Sequence, residues 1–328
     1  MALVSRSRAL VTAPLRGPGF AKLRQLADVV YDPWIEQTPL RIYSAEQLAE
    51  RIGSEGADVV VVESDSMRGP VFDLPLRAIA STRGDPNNVD IAGATAAGIP
   101  VLNTPGRNAD GVAELTVALL LAVTRHLLTA DADVRSGNMF RDGSIPYQRF
   151  RGWEIAGRTA GLVGLGAVGR ATRWRLAGLG LRVIAYDPYN DEAQHDLPEL
   201  LGEADIVSLH APVTGDTTGM IGPKEFAAMR DGVVFLNTAR AQLHDTDALV
   251  DALRSGKVGA AGLDHFAGEW LPTDHPLVGM PNVVLTPHIG GATWDTEARQ
   301  AQMVADDLEA LLCGRAPTHI VNPEVLGP

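Results

Sequence analysis

The sequence predicts an α/β protein made of two doubly wound parallel-sheet domains. Three observations predict it. Short apolar β-type runs alternate with helical patterns along most of the 328 residues, and that alternation implies a parallel sheet covered by helices on both faces. At roughly 100–200 residues per domain, the length suggests about two domains. A glycine-rich turn at 164–169 separates an apolar run from a helical pattern near the middle of the chain.

In the first unit, residues 8–13 read as a strand, 21–27 as a helix, and 58–62 and 77–80 as strands. Residues 89–97 form a helix ended by Gly98, and 100–102 a short strand closed by the turn Asn103-Thr104-Pro105-Gly106. A long helix follows, capped by Asn108 or Asp110, with Val112, Leu115, Leu119 and Val123 on one apolar stripe. Read as far as Leu128, this helix is either a subunit interface or internal core. Residues 135–154 are polar and irregular. The second unit has six strands, at 160–163, 181–186, 205–209, 233–237, 260–263 and 283–286, with helices between them. That is the pattern of a dinucleotide-binding Rossmann fold. The last helix, 295–312, is amphipathic and is expected to pack back onto the first unit. The domains are then 1–107 with 296–328, and 108–295.

Composition narrows the function. The net charge of −12, from 28 basic and 40 acidic residues, argues against a nucleic-acid binder, which needs a basic face. It leaves room for a small anionic ligand in a local arginine pocket. Cys313 is the single cysteine, so no internal disulfide forms and a reducing compartment is compatible; it is expected as a small apolar residue on a packed helix end. The longest apolar run, 115–123, falls short of the ~18 residues of a membrane span. No apolar segment follows Arg6 and Arg8 to make a secretory signal, and the expected location is the cytoplasm.

The strongest local motif is Gly164-Leu165-Gly166-Ala167-Val168-Gly169. It follows the apolar strand and opens a helix running through Ala171, Trp174 and Leu176, the context its mechanism requires. Gly164 permits the tight turn, Gly166 lets the backbone approach a pyrophosphate, and Gly169 allows close helix–strand packing. Asp187 lies 18 residues after Gly169 at the end of the next strand. A carboxylate there accepts from ribose hydroxyls and repels a 2′-phosphate; Pro188 and Tyr189 follow it, and no arginine. The cofactor expected is therefore NAD rather than NADP.

Three more segments sit at the ends of later strands: Asn237-Thr238-Ala239-Arg240; Gly262-Leu263-Asp264 with Phe266 and Glu269; and Thr286-Pro287-His288-Ile289-Gly290-Gly291-Ala292-Thr293. In this order, below the glycine motif, they resemble the D-isomer-specific 2-hydroxyacid dehydrogenase family, which includes phosphoglycerate, glycerate and D-lactate dehydrogenases. The resemblance covers roughly residues 58–300. It implies a Rossmann NAD domain with a smaller, flavodoxin-like substrate domain. It also implies hydride transfer between nicotinamide and a small D-2-hydroxy acid or its 2-oxo form, and a homodimer.

Residue by residue, the resemblance makes His288 the general acid/base, titrating near neutrality. Glu269 holds its ring and stabilises imidazolium. Arg240 grips the substrate carboxylate and carbonyl with parallel donors. Asp264 is implied near the nicotinamide carboxamide or behind it. Further cofactor contacts fall to Ala167, Val168, His210, Pro212, Thr238, Ala239, Gly290, Gly291 and Thr116. His126, His195, His244, His265, His275 and His319 show no metal-type cluster; surface positions are expected for them, and no metal.

For the substrate carboxylate, the resemblance points to backbone amides of Arg83, Gly84 and Asp85 in the segment 81–90. Arg83 either faces the pocket, favouring a second anion such as phosphate, or faces outward. Arg107 is read as cleft-lining and Glu114 as fixing the hinge. Departures from the family pattern are Ala241 after the arginine, where glycine is usual, and Trp270 after the glutamate, where proline is usual. Trp270 either narrows the pocket mouth or packs. The competing reading is an NAD(H)-sensing binding protein of the same fold with little turnover.

Overall fold

The computed structural model describes residues 6–327 and divides into two compact units, 1–107 with 293–328, and 108–292. The first unit is a five-stranded parallel sheet of β1 (Ser7–Val11), β2 (Ala27–Tyr31), β3 (Val59–Val62), β4 (Ala78–Ser81) and β5 (Val101–Leu102), in the order β2-β1-β3-β4-β5. This is the flavodoxin-like order. Successive strand residues point to opposite faces, so both faces bury their side chains. Ala9, Val11, Val59 and Val61 pack with Ala301, Val304 and Leu308 on one side, and Leu10, Val60, Val62 and Ile79 with Leu48, Ile52 and Ala94 on the other.

Two elements go beyond the sequence reading. Strand β2 is one, an edge strand with only Ala27 fully buried. The other is the helix Ala45–Glu55. Ser44 and Gln47 exchange capping-box hydrogen bonds at its start, and Gly56 closes it at φ 62°. The final helix runs Trp294–Leu312, because Thr293 Oγ1 accepts from Thr296 N at 3.0 Å and caps it. The first unit's second segment therefore starts at 293 rather than 296. Cys313, expected to be packed, is exposed at the end of that helix.

The second unit is a six-stranded parallel sheet of β6 (Thr159–Val163), β7 (Arg182–Tyr186), β8 (Ile206–Leu209), β9 (Val233–Asn237), β10 (Val258–Leu263) and β11 (Val283–Leu285), in the order β11-β10-β9-β8-β6-β7. Strand order reverses between β6 and β8, and in such sheets the crevice at the carboxyl ends of the switching strands takes the ligand. Leu119, Leu120 and Val123 of the helix Ala109–Thr124 cover one face with Leu162, Leu165 and Leu176; Leu200, Phe226, Phe235 and Leu249 fill the other. The long helix is core, and it stops at Thr124. His126 at φ 55° breaks it, and the helix Leu127–Arg135 departs at 64° with Leu127 and Leu128 exposed. Among the described residues, no single helix is long and apolar enough to cross a membrane.

Within the first unit, the helix Gly17–Leu26 crosses Trp294–Leu312 at Gly19, where an added Cβ would meet the Gln302 backbone nitrogen at 2.2 Å. Contact with backbone cannot be relieved by a rotamer change, so Gly19→Ala forces the helices apart. It should destabilise the protein by about 2 kcal/mol or more, measured by urea denaturation. An unchanged midpoint would show that the pair is looser than this.

Candidate active site

The glycine loop after β6 has the geometry a dinucleotide needs. Gly164 sits at φ 99°, and a Cβ there would strike the backbone of His210 and Ala211 within 2.8 Å. At Gly169 a Cβ would come 2.2 Å from the Gly164 carbonyl oxygen, whereas at Gly166 it would meet nothing within 4 Å. Gly164 and Gly169 are therefore demanded by the fold, while Gly166 opens on free space. That space lies at the start of the helix Ala167–Gly178, whose first amides, those of Ala167 and Val168 among them, lack intrahelical acceptors and suit a pyrophosphate. Asp187 Oδ2 accepts from Leu165 N at 2.8 Å and Oδ1 from Tyr189 N at 3.0 Å. The carboxylate thus braces the loop and keeps lone pairs for a ribose. These residues fit an NAD cofactor.

His210 ends β8 next to Gly164. Its Nε2 is 2.9 Å from Ser208 Oγ, its Nδ1 is enclosed without a partner among the described residues, and burial lowers the imidazole pKa to about 4. It stands as a neutral group at the sheet edge, with exposed Pro212 two residues on. Thr116 is placed differently from the expectation. It is fully buried, and its hydroxyl donates to the Val112 carbonyl while bonding Thr238 Oγ1 at 2.7 Å. It therefore holds the β9 turn from behind rather than facing a cofactor.

At the end of β9, buried Asn237 builds the turn that carries Arg240. Its Oδ1 accepts from Ala239 N, and its Nδ2 donates to the Arg240 carbonyl at 2.8 Å and to His244 Nδ1 at 2.9 Å. Arg240 is exposed, with Nη1 donating to the Ala239 carbonyl. At the end of β10, Asp264 is fully buried. Its Oδ1 accepts from Thr286 Oγ1 at 2.6 Å and Ile289 N at 2.9 Å, and its Oδ2 from Gly290 N at 2.9 Å. Asp264 thus stands behind the His288 loop, the second of the two places the sequence left open to it.

His288 and Glu269 meet in the exposed part of this edge, Nδ1 to Oε1 at 2.9 Å. Both adopt left-handed backbone at φ 55°. For residues with a side chain this conformation costs of order 1–3 kcal/mol and is held only where surroundings impose it. His265 is a residue the sequence reading missed: expected at the surface, it is 4% exposed, with its ring centroid 3.8 Å from that of His288. Burial, then the nearby charges of His288 and Arg240, lower its pKa to about 3. Arg240, Glu269, His288 and His265 are therefore one cluster. His244 is likewise 6% exposed rather than on the surface, because its imidazole fills the inside of the Arg240 turn. Trp270, next to Glu269, is 69% exposed and so does not pack.

The first unit holds the other expected segment. Gly84 and Asp85 are exposed, and their amides have no partner among the described residues. Arg83 is half-buried, with Nε donating to the Glu63 carbonyl at 2.6 Å and Nη1 to Asn87 Oδ1 at 2.9 Å. Arg107 pairs with Glu63 and Gln300 in a largely buried position, where desolvation lowers its pKa. In the second unit, Glu114 accepts from Arg175 at 2.9 Å, bracing the long helix.

Residues 117–290 match the family model for the D-isomer specific 2-hydroxyacid dehydrogenase, NAD binding domain. A glyoxylate reductase of Thermofilum pendens is 37% identical over 334 residues, covering 98% of this chain and 96% of that one. The chain belongs to the D-isomer specific 2-hydroxyacid dehydrogenase family. A D-3-phosphoglycerate dehydrogenase of Methanocaldococcus jannaschii is 34% identical over 325 residues, 95% of this chain and 59% of that one. The NAD-complexed family member from Lactobacillus delbrueckii superposes with a TM-score of 0.79 at 27% identity, over 96% of this chain and 100% of that one. As a member of this family, the chain is an NAD-dependent oxidoreductase of 2-hydroxy and 2-oxo acids, and these relatives carry enzyme names rather than those of sensing modules.

Burial lowers the His244 pKa from 6.5 to about 4. The unfolded chain therefore binds the proton more readily, so the stability tied to this neutral ring is complete above about pH 6.5 and is lost as pH falls towards 4. At 1.36 kcal/mol per pKa unit the loss approaches about 3 kcal/mol. His244→Gln should flatten the pH dependence of urea unfolding between pH 7 and 4.5 relative to the parent. Parallel curves would place the acid sensitivity elsewhere.

Proposed function

We propose that the chain reduces a small, singly charged 2-oxo acid, with His288 as proton donor, Glu269 as its partner and Arg240 as the carboxylate anchor. The observation that carries this is the 2.9 Å His288–Glu269 pair, clustered with the Arg240 charge at the carboxyl edge of the sheet. When bound, the nicotinamide supplies the hydride. His288 gives its proton to the carbonyl oxygen as C2 is reduced. Glu269 keeps the imidazole oriented and balances its charge beforehand. Arg240 presents a planar fork that matches carboxylate and carbonyl together. Gly164, Gly166, Ala167, Val168, Gly169 and Asp187 are the residues proposed to hold the cofactor, with His210, Pro212, Ala239 and Gly291 beside them. In the first unit, the amides of Gly84 and Asp85 are suited to a carboxylate.

The restriction to one anionic group follows from Arg83. Two of its nitrogens, Nε and Nη1, are tied to Glu63 and Asn87, which supports a reading in which Arg83 is not committed to a second anion. Similarity along nearly the whole length to a protein named glyoxylate reductase agrees with a small substrate. A homodimer is the proposed assembly, resting on the exposed apolar residues Leu127, Leu128, Val134, Phe140, Ile145 and Tyr147 that follow the long helix. A reducing, cytoplasmic setting suits the exposed free thiol of Cys313.

The test is NADH consumption with glyoxylate, hydroxypyruvate, pyruvate and phosphohydroxypyruvate. Turnover is expected with the small unphosphorylated acids, and His288→Ala should lower kcat by about 10²–10⁴. Arg83→Ala should change kcat/KM by the same factor for singly and doubly charged substrates. A selective loss for the phosphorylated acid would reverse the substrate assignment. Tight NADH binding with no turnover would favour a sensing role.

A further inference from the structure

One histidine of the cluster has no part in hydride transfer. His265 is buried, with its side chain 3% exposed. Its Nδ1 has no hydrogen-bond partner among the described residues. With no group bound to it, Nδ1 is free to present a lone pair. That lone pair lies 3.9 Å from Glu269 Oε1, which in turn is 2.9 Å from His288 Nδ1. One donor atom from each of His265, Glu269 and His288 can be chosen so that all three lie within 4.8 Å of one another.

We propose that His265, Glu269 and His288 form a binding site for a divalent transition-metal ion of the Zn²⁺ type, and that its occupation blocks turnover. Two imidazoles and one carboxylate suit zinc and its neighbours, whereas magnesium and calcium take all-oxygen sets. Ligand–metal distances of about 2.0–2.1 Å place tetrahedral donors about 3.3 Å apart. The 2.9 Å and 3.9 Å separations bracket that value, and exposed Glu269 can swing to adjust them. His265 offers the ion a buried imidazole nitrogen that no other hydrogen bond occupies. Burial also keeps this ring neutral, so no proton need leave it when a metal binds. Glu269 and His288 are 58% and 42% exposed, which leaves an open side for ion entry and for a fourth ligand. Binding would withdraw the His288 imidazole from proton transfer. Only this inhibitory consequence rests on the function proposed above.

The experiment is Zn²⁺ titration by calorimetry of the chelator-treated full chain, supported by the visible spectrum with Co²⁺. One ion per chain is expected. His265→Val should weaken binding by about 100-fold, and Glu269→Gln, an exposed change that spares the core, should do the same. His195→Gln, at a histidine outside this cluster that lies 3.6 Å from Glu203, should bind like the parent. In the NADH assay, each protein being referred to its own metal-free rate, the Zn²⁺ concentration for half inhibition should rise by the same factor in His265→Val. No binding by the parent, or unaltered binding by both variants, overturns the proposal. Zinc binding that depends on His265 in a protein that reduces no 2-oxo acid would uphold the site and reject the enzymatic reading instead.

Discussion

The candidate catalytic edge depends on one buried carboxylate. Asp264 is wholly enclosed, and among the described residues no lysine or arginine pairs with it. A buried charge is tolerated only when donors surround it, and here the Thr286 hydroxyl and the amides of Ile289 and Gly290 do so. Those three bonds fix residues 286–290 as a rigid loop. His288, in the middle of it, is held in left-handed backbone that it would not adopt in a free chain. An added Cβ at Gly290 would press on Asp264 Oδ2 at 3.1 Å and on Val112 at 3.3 Å.

Asn237 does for the arginine what Asp264 does for the histidine. One amide side chain ties Ala239, Arg240 and His244 into a turn, and the Thr116–Thr238 hydroxyl pair fastens that turn to the long helix. Asp264, Asn237, Thr116 and Thr238 therefore find their partners within the second unit, while Arg240, Glu269 and His288 remain exposed. The same enclosure sorts the histidines by charge. His210, His244 and His265 are kept neutral by burial, with pKa values of about 4, 4 and 3. A neutral ring beside His288 adds no positive charge that would oppose its taking up a proton.

Much of the fold was legible because its constraints act between near neighbours in sequence. The six strands of the second unit show as apolar runs, since a parallel strand covered on both faces has no polar side. The glycine loop shows because Gly164 and Gly169 answer steric demands that no other residue meets. Strand β2 was not legible: it is an edge strand following directly on a helix, with one fully buried residue and no apolar run. The helix Ala45–Glu55 carried a readable signal, Ser44 and Gln47 at capping-box spacing with Gly56 behind them, that the hydrophobic pattern alone did not bring out.

The sequence by itself determined the fold class, the glycine loop, the candidate acid–base pair and the arginine, because each is written in residue type and local order. The tertiary structure decided which polar residues face solvent. It buried His244 and His265, drew Asp264 and Thr116 behind the loops, and turned Arg83 onto its own unit, none of which has a local signature. The reason is physical. Whether a histidine or a carboxylate is enclosed depends on strands brought together from distant parts of the chain, and on whether donors among them compensate for lost water.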